Sequence, residues 1–451
     1  MSTTNVLESN SNVANGRSQT VRAARRTLRL RESADSAAQS VQIKTYSSWA
    51  ALAEITPEWE RILRENDKLS IFSTPEWLRS WWEAFGSNRR LAVLALSDPQ
   101  GSLLGVAPLY FEHAKHPLFG RVRQLRFVGD GSGDSDNLDL IVAPGEEQRC
   151  VAALLRWIAQ QRNCGICSLN TLAQDSTVAK ILQTRLEEAK WPLRVTMTAN
   201  SAIQLPSTWE SYIEGLTPKF RRLIARCRRK LESQYEVRFR RCESLCEIPE
   251  MLQTLYHLHQ KRWNSVRQSG TLQSVERRDL YARMARAFFE RGWLELWSLE
   301  LNGKPVAAQM SFRYRDRVYG LQEGFDTDYF SHNVGHVLRA GMFEYFIGSG
   351  VKVYDFLGGT SAQKQRWGAE VGAYVNFEFA RPRTVASCQL ALEKGAAAGK
   401  EWLRHRLPPI AWNGLHRINL LVTRRNEEPA SRDARISVSA AEEIGEGVMS
   451  Q

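Results

Sequence analysis

The chain has 451 residues, 43% hydrophobic and 10% aromatic, enough to bury a core along most of its length and, at ~150 residues per domain, to build about two domains with tails. Lys and Arg number 61 against 49 Asp and Glu, a formal net charge of +12, so the protein is basic, and this composition excludes a wholly disordered polymer. No stretch approaches the ~20 apolar residues of a membrane span, since even Val351 to Leu357 is broken by Lys352 and Asp355. The N-terminus holds no apolar run of signal-peptide length, and the expected location is the cytoplasm.

Residues 1–40 are rich in Ser, Asn, Ala and Arg and read as a disordered basic tail, with six arginines between Arg17 and Arg31 that suit an anionic surface. Leu91 to Ser97, the turn Asp98-Pro-Gln-Gly101 and Ser102 to Tyr110 predict a strand, a turn and a strand. A strand ending near Val142, a helix from about Gly145 to Gln161 and a strand from Ile166 to Leu172 follow. Cys164-Gly-Ile-Cys167 introduces that last strand. Its thiols read as reduced core residues rather than half of a zinc site, because the other pair, Cys242 and Cys246, has three intervening residues where structural zinc sites mostly have two.

Thr217-Pro218 offers an N-cap and a first-turn proline to a helix whose apolar stripe is Phe220, Leu223, Ile224, Cys227 and Leu231. Its other face carries Lys219, Arg221, Arg222, Arg226, Arg228, Arg229 and Lys230, a ridge suited to phosphates, anionic lipid or nucleic acid. Helices from Glu250 to Trp263 and Arg277 to Phe289 complete what reads as a helical insert. The hairpin plan then returns: Leu294 to Leu301, Asn302-Gly303, and Lys304 to Phe312, with Ala307 and Ala308 where the first copy has Gly105 and Ala107. A strand Arg317 to Phe325, a loop 326–333, a helix 334–348 and a strand Val351 to Phe356 follow in the order of the first copy. The predicted class is α/β: two tandem units, each a mixed sheet with packed helices, at 41–205 and 206–382. Residues 383–451 read as a basic helix and polar tail.

The second unit's helix start is the better anion site. A helix N-terminus presents unpaired N–H groups and a positive partial charge. Here it is approached through Ser331, His332, Asn333, Val334, Gly335 and His336, with Arg339 one turn on and no carboxylate in the first turn. The first unit's counterpart, Pro144-Gly145-Glu146-Glu147, satisfies the helix dipole with its own acids and would repel a pyrophosphate.

From Phe72 to Phe379 the sequence resembles the GNAT superfamily of acyl-CoA-dependent N-acyltransferases, and within it a tandem branch associated with cellulose and exopolysaccharide biosynthesis. The marks are Phe72-Ser-Thr-Pro-Glu-Trp77, Gly105 to Leu109, Gly133 to Asp139, the basic helix, His259 with Arg262-Trp263, Gly303 to Gln309, Phe325-Asp326, Tyr354 to Gly358 and Lys364 to Gly368. The resemblance implies acyl-CoA as co-substrate, no metal, and an amine acceptor, here an amino sugar or glycolipid precursor. Related Fem-type enzymes take the acyl group from aminoacyl-tRNA instead, and a third alternative is a non-enzymatic adaptor held at an anionic membrane by the arginine tail and the basic segment Lys394 to Arg406. Two departures stand out: Ser331 to His336 holds one glycine and two histidines, and Gln363 precedes Lys364 where the branch often has tyrosine.

Attack of an amine on a thioester needs a proton acceptor and a stabilised carbonyl oxygen. The candidates for the base are Glu323 on the strand lining the cleft, Asp355 between Tyr354 and Phe356, and His259. The alternative reading of Glu323 is half of an ion pair at the cleft rim, and that of Asp355 a structural acceptor for the Gly358-Gly359 turn. Arg262, Trp263, Lys364, Arg366 and Trp367 are the candidates for holding the acceptor, with Trp367 equally suited to the core.

Overall fold

The computed structural model describes residues 41–393 and residue 395, except 117–119, 162–163, 266 and 269. The arginine stretch Arg17 to Arg31, the basic segment Lys394 to Arg406 apart from Gly395, and the end Arg424 to Gln451 lie outside the described residues. The first module runs β1 (Gln42–Tyr46), α1 (Thr56–Glu65), α2 (Pro75–Phe85), β2 (Arg90–Ser97), β3 (Leu103–His116), β4 (Gly120–Phe127), a short β5 (Ile141–Val142), α3 (Glu147–Gln160), β6 (Ile166–Ala173), α4 (Thr177–Glu188) and β7 (Leu193–Gln204). After α5 (Trp209–Gly215) and α6 (Pro218–Gln234), the second runs β8 (Val237–Arg241), α7 (Ile248–Ser265), α8 (Val275–Glu290), β9 (Leu294–Leu301), β10 (Lys304–Tyr314), β11 (Arg317–Phe325), α9 (Val334–Gly348), β12 (Val353–Gly358), α10 (Ala362–Arg366) and β13 (Glu370–Ala380).

Local chemistry explains the repeated hairpins. Asn302 and Gly303 both have positive φ, as a type I′ turn requires, and Gly101 takes φ +90 while the Asp98 carboxylate accepts the N–H groups of Gln100 and Ser102. Helix α6 starts as its sequence implies, with Thr217 accepting the Phe220 N–H and Pro218 in the first turn. Phe220, Ile224, Cys227 and Leu231 are buried beneath it. The segment 326–333, expected as a loop, winds into a 3₁₀ turn over Thr327–His332, begun by the Asp326 carboxylate accepting the Asp328 N–H.

All the strands belong to one sheet, ordered β1-β2-β3-β4-β6-β13-β7-β12-β11-β10-β9-β8, with β5 paired to β3. Within each module four strands pair antiparallel and then cross over in parallel, β4 to β6 through α3 and β11 to β12 through α9. The last strands are exchanged: β7 pairs with β12 of the second module and β13 with β6 of the first, while β7 and β13 pair with each other from Leu193↔Phe379 to Ala202↔Glu370. Each sheet is therefore completed by the other module. The apparent insert is also part of this symmetry, since α7 and α8 stand between the first and second strands of their module as α1 and α2 do in theirs.

One hydrophobic core runs through both modules, with Trp59, Trp77, Trp81, Phe288 and Phe312 fully buried and Trp77 of α2 packed on Phe288 of α8 and Phe312 of β10, and a second lies under α6 and α9. Each such aromatic withdraws roughly 150–250 Å² from water, worth about 4 kcal/mol or more at ~25 cal/mol per Å². The joint also carries buried polar contacts. Asp134, in the loop after β4, accepts from Arg277 Nε at 2.9 Å and from the Tyr281 hydroxyl at 2.9 Å, and Arg277 reaches the Ser132 carbonyl as well.

Candidate active site

In the second module β11 and β12 are paired only from Arg317↔Val353 to Tyr319↔Asp355 and then diverge. On the other edge of β11 a bulge leaves Leu321 without a partner on β10, and β12 is interrupted between Asp355 and Gly358, where Leu357 takes φ +62. A non-glycine residue in the left-handed region stores strain of ~1–3 kcal/mol and persists only where its surroundings impose it. Here the Asp355 carboxylate imposes it, accepting the Leu357 N–H at 2.8 Å.

Helix α9 begins beside this opening. Asn333, at φ 52 and ψ 41, gives it no side-chain cap, because the Asn333 amide is turned to Cys227 Sγ at 3.5 Å. No acid stands in the first turn. A Cβ added to Gly335 would meet only the Phe325 ring, at an ordinary 3.6 Å, so the space beside this turn is open. Ser331 is exposed, with its hydroxyl 3.3 Å from His332 Nδ1. Val334 is buried, and His336 packs edge-on to Phe220 and against Trp367, where burial and then the Arg339 charge lower its pKa to about 4. At neutral pH it is an uncharged imidazole.

Arg339 is 6% exposed and sits over Phe356 and Trp367. It pairs with Glu323, yet its Nε finds no acceptor. Glu323 also accepts from Arg262 at 3.0 Å, and against the upward push of burial these two guanidiniums hold its carboxyl at about 2. Paired with two guanidiniums, Glu323 is a feeble proton acceptor and an effective anchor for both arginines.

Asp355, 4% exposed, is raised by burial and steadied by Arg317 at 3.0 Å. His259 is 2% exposed, accepts from Trp263 Nε1 at 2.9 Å, and is lowered to about 3 by burial and by Arg262 and Arg277. Gly324 has a packing reason: a Cβ there would stand 2.3 Å from the His259 backbone nitrogen, so the glycine lets α7 lie against β11. Lys364 turns its ammonium to the carbonyls of Gly358 at 2.7 Å and Gly359 at 2.9 Å, closing the end of β12. Arg366 is exposed. Trp367 is fully buried among Phe220, His336 and Phe343, so the core reading describes it and no ring face is left for a sugar.

Sequence reasoning assigned no role to Asp326 or to the aspartates of the Gly133 to Asp139 loop. Asp326 is held at about 2, burial being outweighed by Lys261, the Asp328 N–H and Lys304, and it ties α7 to the turn before α9. Asp136 accepts the Gly358 N–H at 2.7 Å from across the joint. The signal available was the density of glycine and aspartate in that loop; the partners of Asp134 and Asp136, more than a hundred residues away, were not. Among the described residues no group of side chains is arranged to hold a metal ion, and no helix is long and apolar enough to cross a membrane.

Residues 218–367, from the start of α6 to the end of α10, match the family model of the acetyltransferase (GNAT) domain. No curated protein matches the chain. Among solved structures, FemX shares 11% identity at a TM-score of 0.53, covering 72% of this chain and 95% of its own. A conserved protein of unknown function from Bacteroides thetaiotaomicron shares 15% at 0.47, covering 75% and 100%, and a tandem GNAT protein from the clavulanic acid biosynthesis pathway shares 13% at 0.43, covering 76% and 98%. With the strand divergence and the uncapped helix start in place, the chain carries a GNAT-type acyltransferase fold in tandem form, with the acetyltransferase domain match confined to its second module.

Proposed function

We propose that the protein is an N-acyltransferase that receives an acyl group from acyl-CoA in the second module and passes it to an amine, an amino sugar or glycolipid precursor of cell-surface polysaccharide. The observation that carries this reading is the bare start of α9: an uncapped first turn without acids, open space beside Gly335, and the unpartnered Nε of Arg339 behind it. Such a turn supplies N–H donors and positive potential to a diphosphate. The diverging strands offer a path for a pantetheine arm, and backbone N–H groups freed by the bulge at Leu321 are suited to polarise a thioester carbonyl. No metal is invoked. This reading puts the reaction in the cytoplasm, where acyl-CoA and reduced thiols coexist, with peripheral contact to an anionic membrane.

One observation favours a second donor. Lys219, Arg222, Arg226, Arg229 and Lys230 are all exposed and stand on one face of α6 opposite its buried stripe, a track that suits the backbone of an aminoacyl-tRNA. Calorimetric titration with acetyl-CoA, longer acyl-CoAs and bulk tRNA separates the two. The reading expects saturable acyl-CoA binding with weak, salt-erased tRNA binding, and a tRNA-only signal would sink it. Release of thiol from acyl-CoA across a panel of amines then defines the acceptor.

A further inference from the structure

Each of the side chains that sequence chemistry offered as a base is committed elsewhere: Glu323 to two arginines, Asp355 to Arg317 and the Leu357 N–H, and His259 to the interior. A fourth group comes to the side of Asp355 from the other module. Asp136 stands in the loop after β4 and crosses the joint to the end of β12, where its Oδ2 accepts the Gly358 N–H at 2.7 Å. The fit is close, since a Cβ on Gly358 would lie 3.3 Å from that oxygen. Asp136 is half-buried rather than sealed.

The titratable groups that face it are Asp355 from β12, Lys364 from α10, Asp134 from its own loop, and Tyr374 from β13. The Lys364 ammonium is directed at the Gly358 and Gly359 carbonyls. Tyr374 is the independent sign of a ligand. Only 2% exposed, its hydroxyl completes no hydrogen bond of standard geometry although the Asn200 amide lies close by, and burial, then the charges of Asp136 and Asp355, push it well above the ordinary phenol range. A buried hydroxyl left so, within reach of the charges of two carboxylates, is a donor kept for a polar group that comes beside them.

We propose that Asp136 is the general base of the second module's reaction, lent across the joint by the first module. The proposal rests on the N-acyltransferase reading above. The acceptor ammonium gives one proton to the Asp136 carboxylate; the neutral nitrogen attacks the thioester carbonyl carbon, forming the N–C bond. The C–S electron pair departs with sulfur, the resulting thiolate takes the second proton from nitrogen, and Asp136 returns its own to water. One ammonium and one thioester thus yield one amide, one thiol and one proton, with no oxidant or metal. Burial raises the Asp136 carboxyl to about 6, with the Gly358 N–H opposing and Asp355 adding to the rise, which suits a proton acceptor near neutral pH far better than Glu323 at about 2.

The test uses the full chain, acetyl-CoA and a panel of amino sugars beginning with glucosamine, with thiol release as readout. Asp136→Asn keeps an oxygen for the Gly358 N–H. The expected result is kcat lower by ~10²–10⁴-fold at unchanged acetyl-CoA KM, with loss of the acid limb near pH 6, and partial return of both in Asp136→Glu. A substrate-free measurement accompanies it. A carboxyl raised on folding favours the folded state below its unfolded pKa and loses that contribution as pH rises through about 6, so wild-type stability falls between pH 4 and 6 by an amount that Asp136→Asn lacks. Asp136→Asn turning over within about threefold of wild type, or keeping the acid limb, overturns the proposal alone. A wild type that neither binds acetyl-CoA nor releases thiol with any amine removes the acyltransferase reading, and the proposal with it.

Discussion

The two modules fold alike and differ at the place where their parallel strands part. In the first, the space beside β4 is filled by a closed set of charges: Arg126 pairs with Glu112 and Asp130, Asn170 donates to Asp130, and Arg89 completes Glu112. Helix α3 opens on Glu146 and Glu147, which answer its dipole. In the second, Arg339 is left with an unused donor and α9 opens with neither cap nor acid. The matched network beside β4 makes that part of the first module a brace, while the unused Nε of Arg339 leaves the second a donor beside its helix start; the hydroxyls of Ser73 and Thr171 in the first module also lack partners but belong to no such opening. The exchange of β7 and β13 makes the brace obligatory, because neither sheet is complete without a strand from the other module.

The hardest way to break that comparison is at the joint. Arg277→Ala leaves the Asp134 carboxylate, 4% exposed, without its cationic partner, and should cost about 3–5 kcal/mol in equilibrium unfolding. If the modules stand independently, the loss appears as a separate transition of one of them. If the exchanged strands and shared core bind them, a single transition shifts as a whole. A smaller effect is expected where α7 lies on β11. Gly324→Ala forces a methyl against the His259 backbone and should cost ~1–3 kcal/mol by thermal or chemical unfolding; if the proposed function holds, acyl-CoA turnover falls with it through displaced Arg262 and Glu323.

How much of this was legible in the sequence follows from how far each signal reaches. The repeated hairpins were readable because Asn302-Gly303 and Asp98 to Gly101 fix their turns locally, and α9 because its apolar residues recur at helical spacing over Val334–Gly348. Strand β8 escaped notice because Val237-Arg-Phe-Arg-Arg241 is short and charged and pairs only as the edge beside β9. The exchange of β7 and β13 has no local signature at all; which strand they join is decided by partners in the other module. The same holds within the site. The bare helix start was visible in Ser331 to His336, whereas Asp136 declares itself only through a backbone N–H 222 residues away. Trp367 looked as suitable for a ligand as for the core because side-chain type alone does not say whether the residue closing α10 turns inward.

The finest test exchanges a single property between the two helix starts. Gly335→Glu installs in α9 the first-turn acid that α3 already has, at a position whose Cβ meets only the Phe325 ring at 3.6 Å and whose backbone is helical. The fold should tolerate it, and the helix should gain slightly from both the lost glycine and the dipole. Acyl-CoA affinity should fall by about tenfold, equivalent to ~1.4 kcal/mol, if a diphosphate docks there. Gly335→Ala is the control, expected to stabilise by ~0.5–1 kcal/mol and to leave affinity nearly unchanged. The reciprocal change, Glu146→Gln with Glu147→Gln in the first module, should leave acyl-CoA binding where it was, because removing the acids from α3 does not undo the charge network of Arg126, Glu112 and Asp130 beside β4. Were acyl-CoA binding to follow the α3 pair instead, the functional roles of the modules would be reversed. Were it indifferent to both, the diphosphate would have to sit away from either helix start, and the cationic face of α6 would be the next place to look.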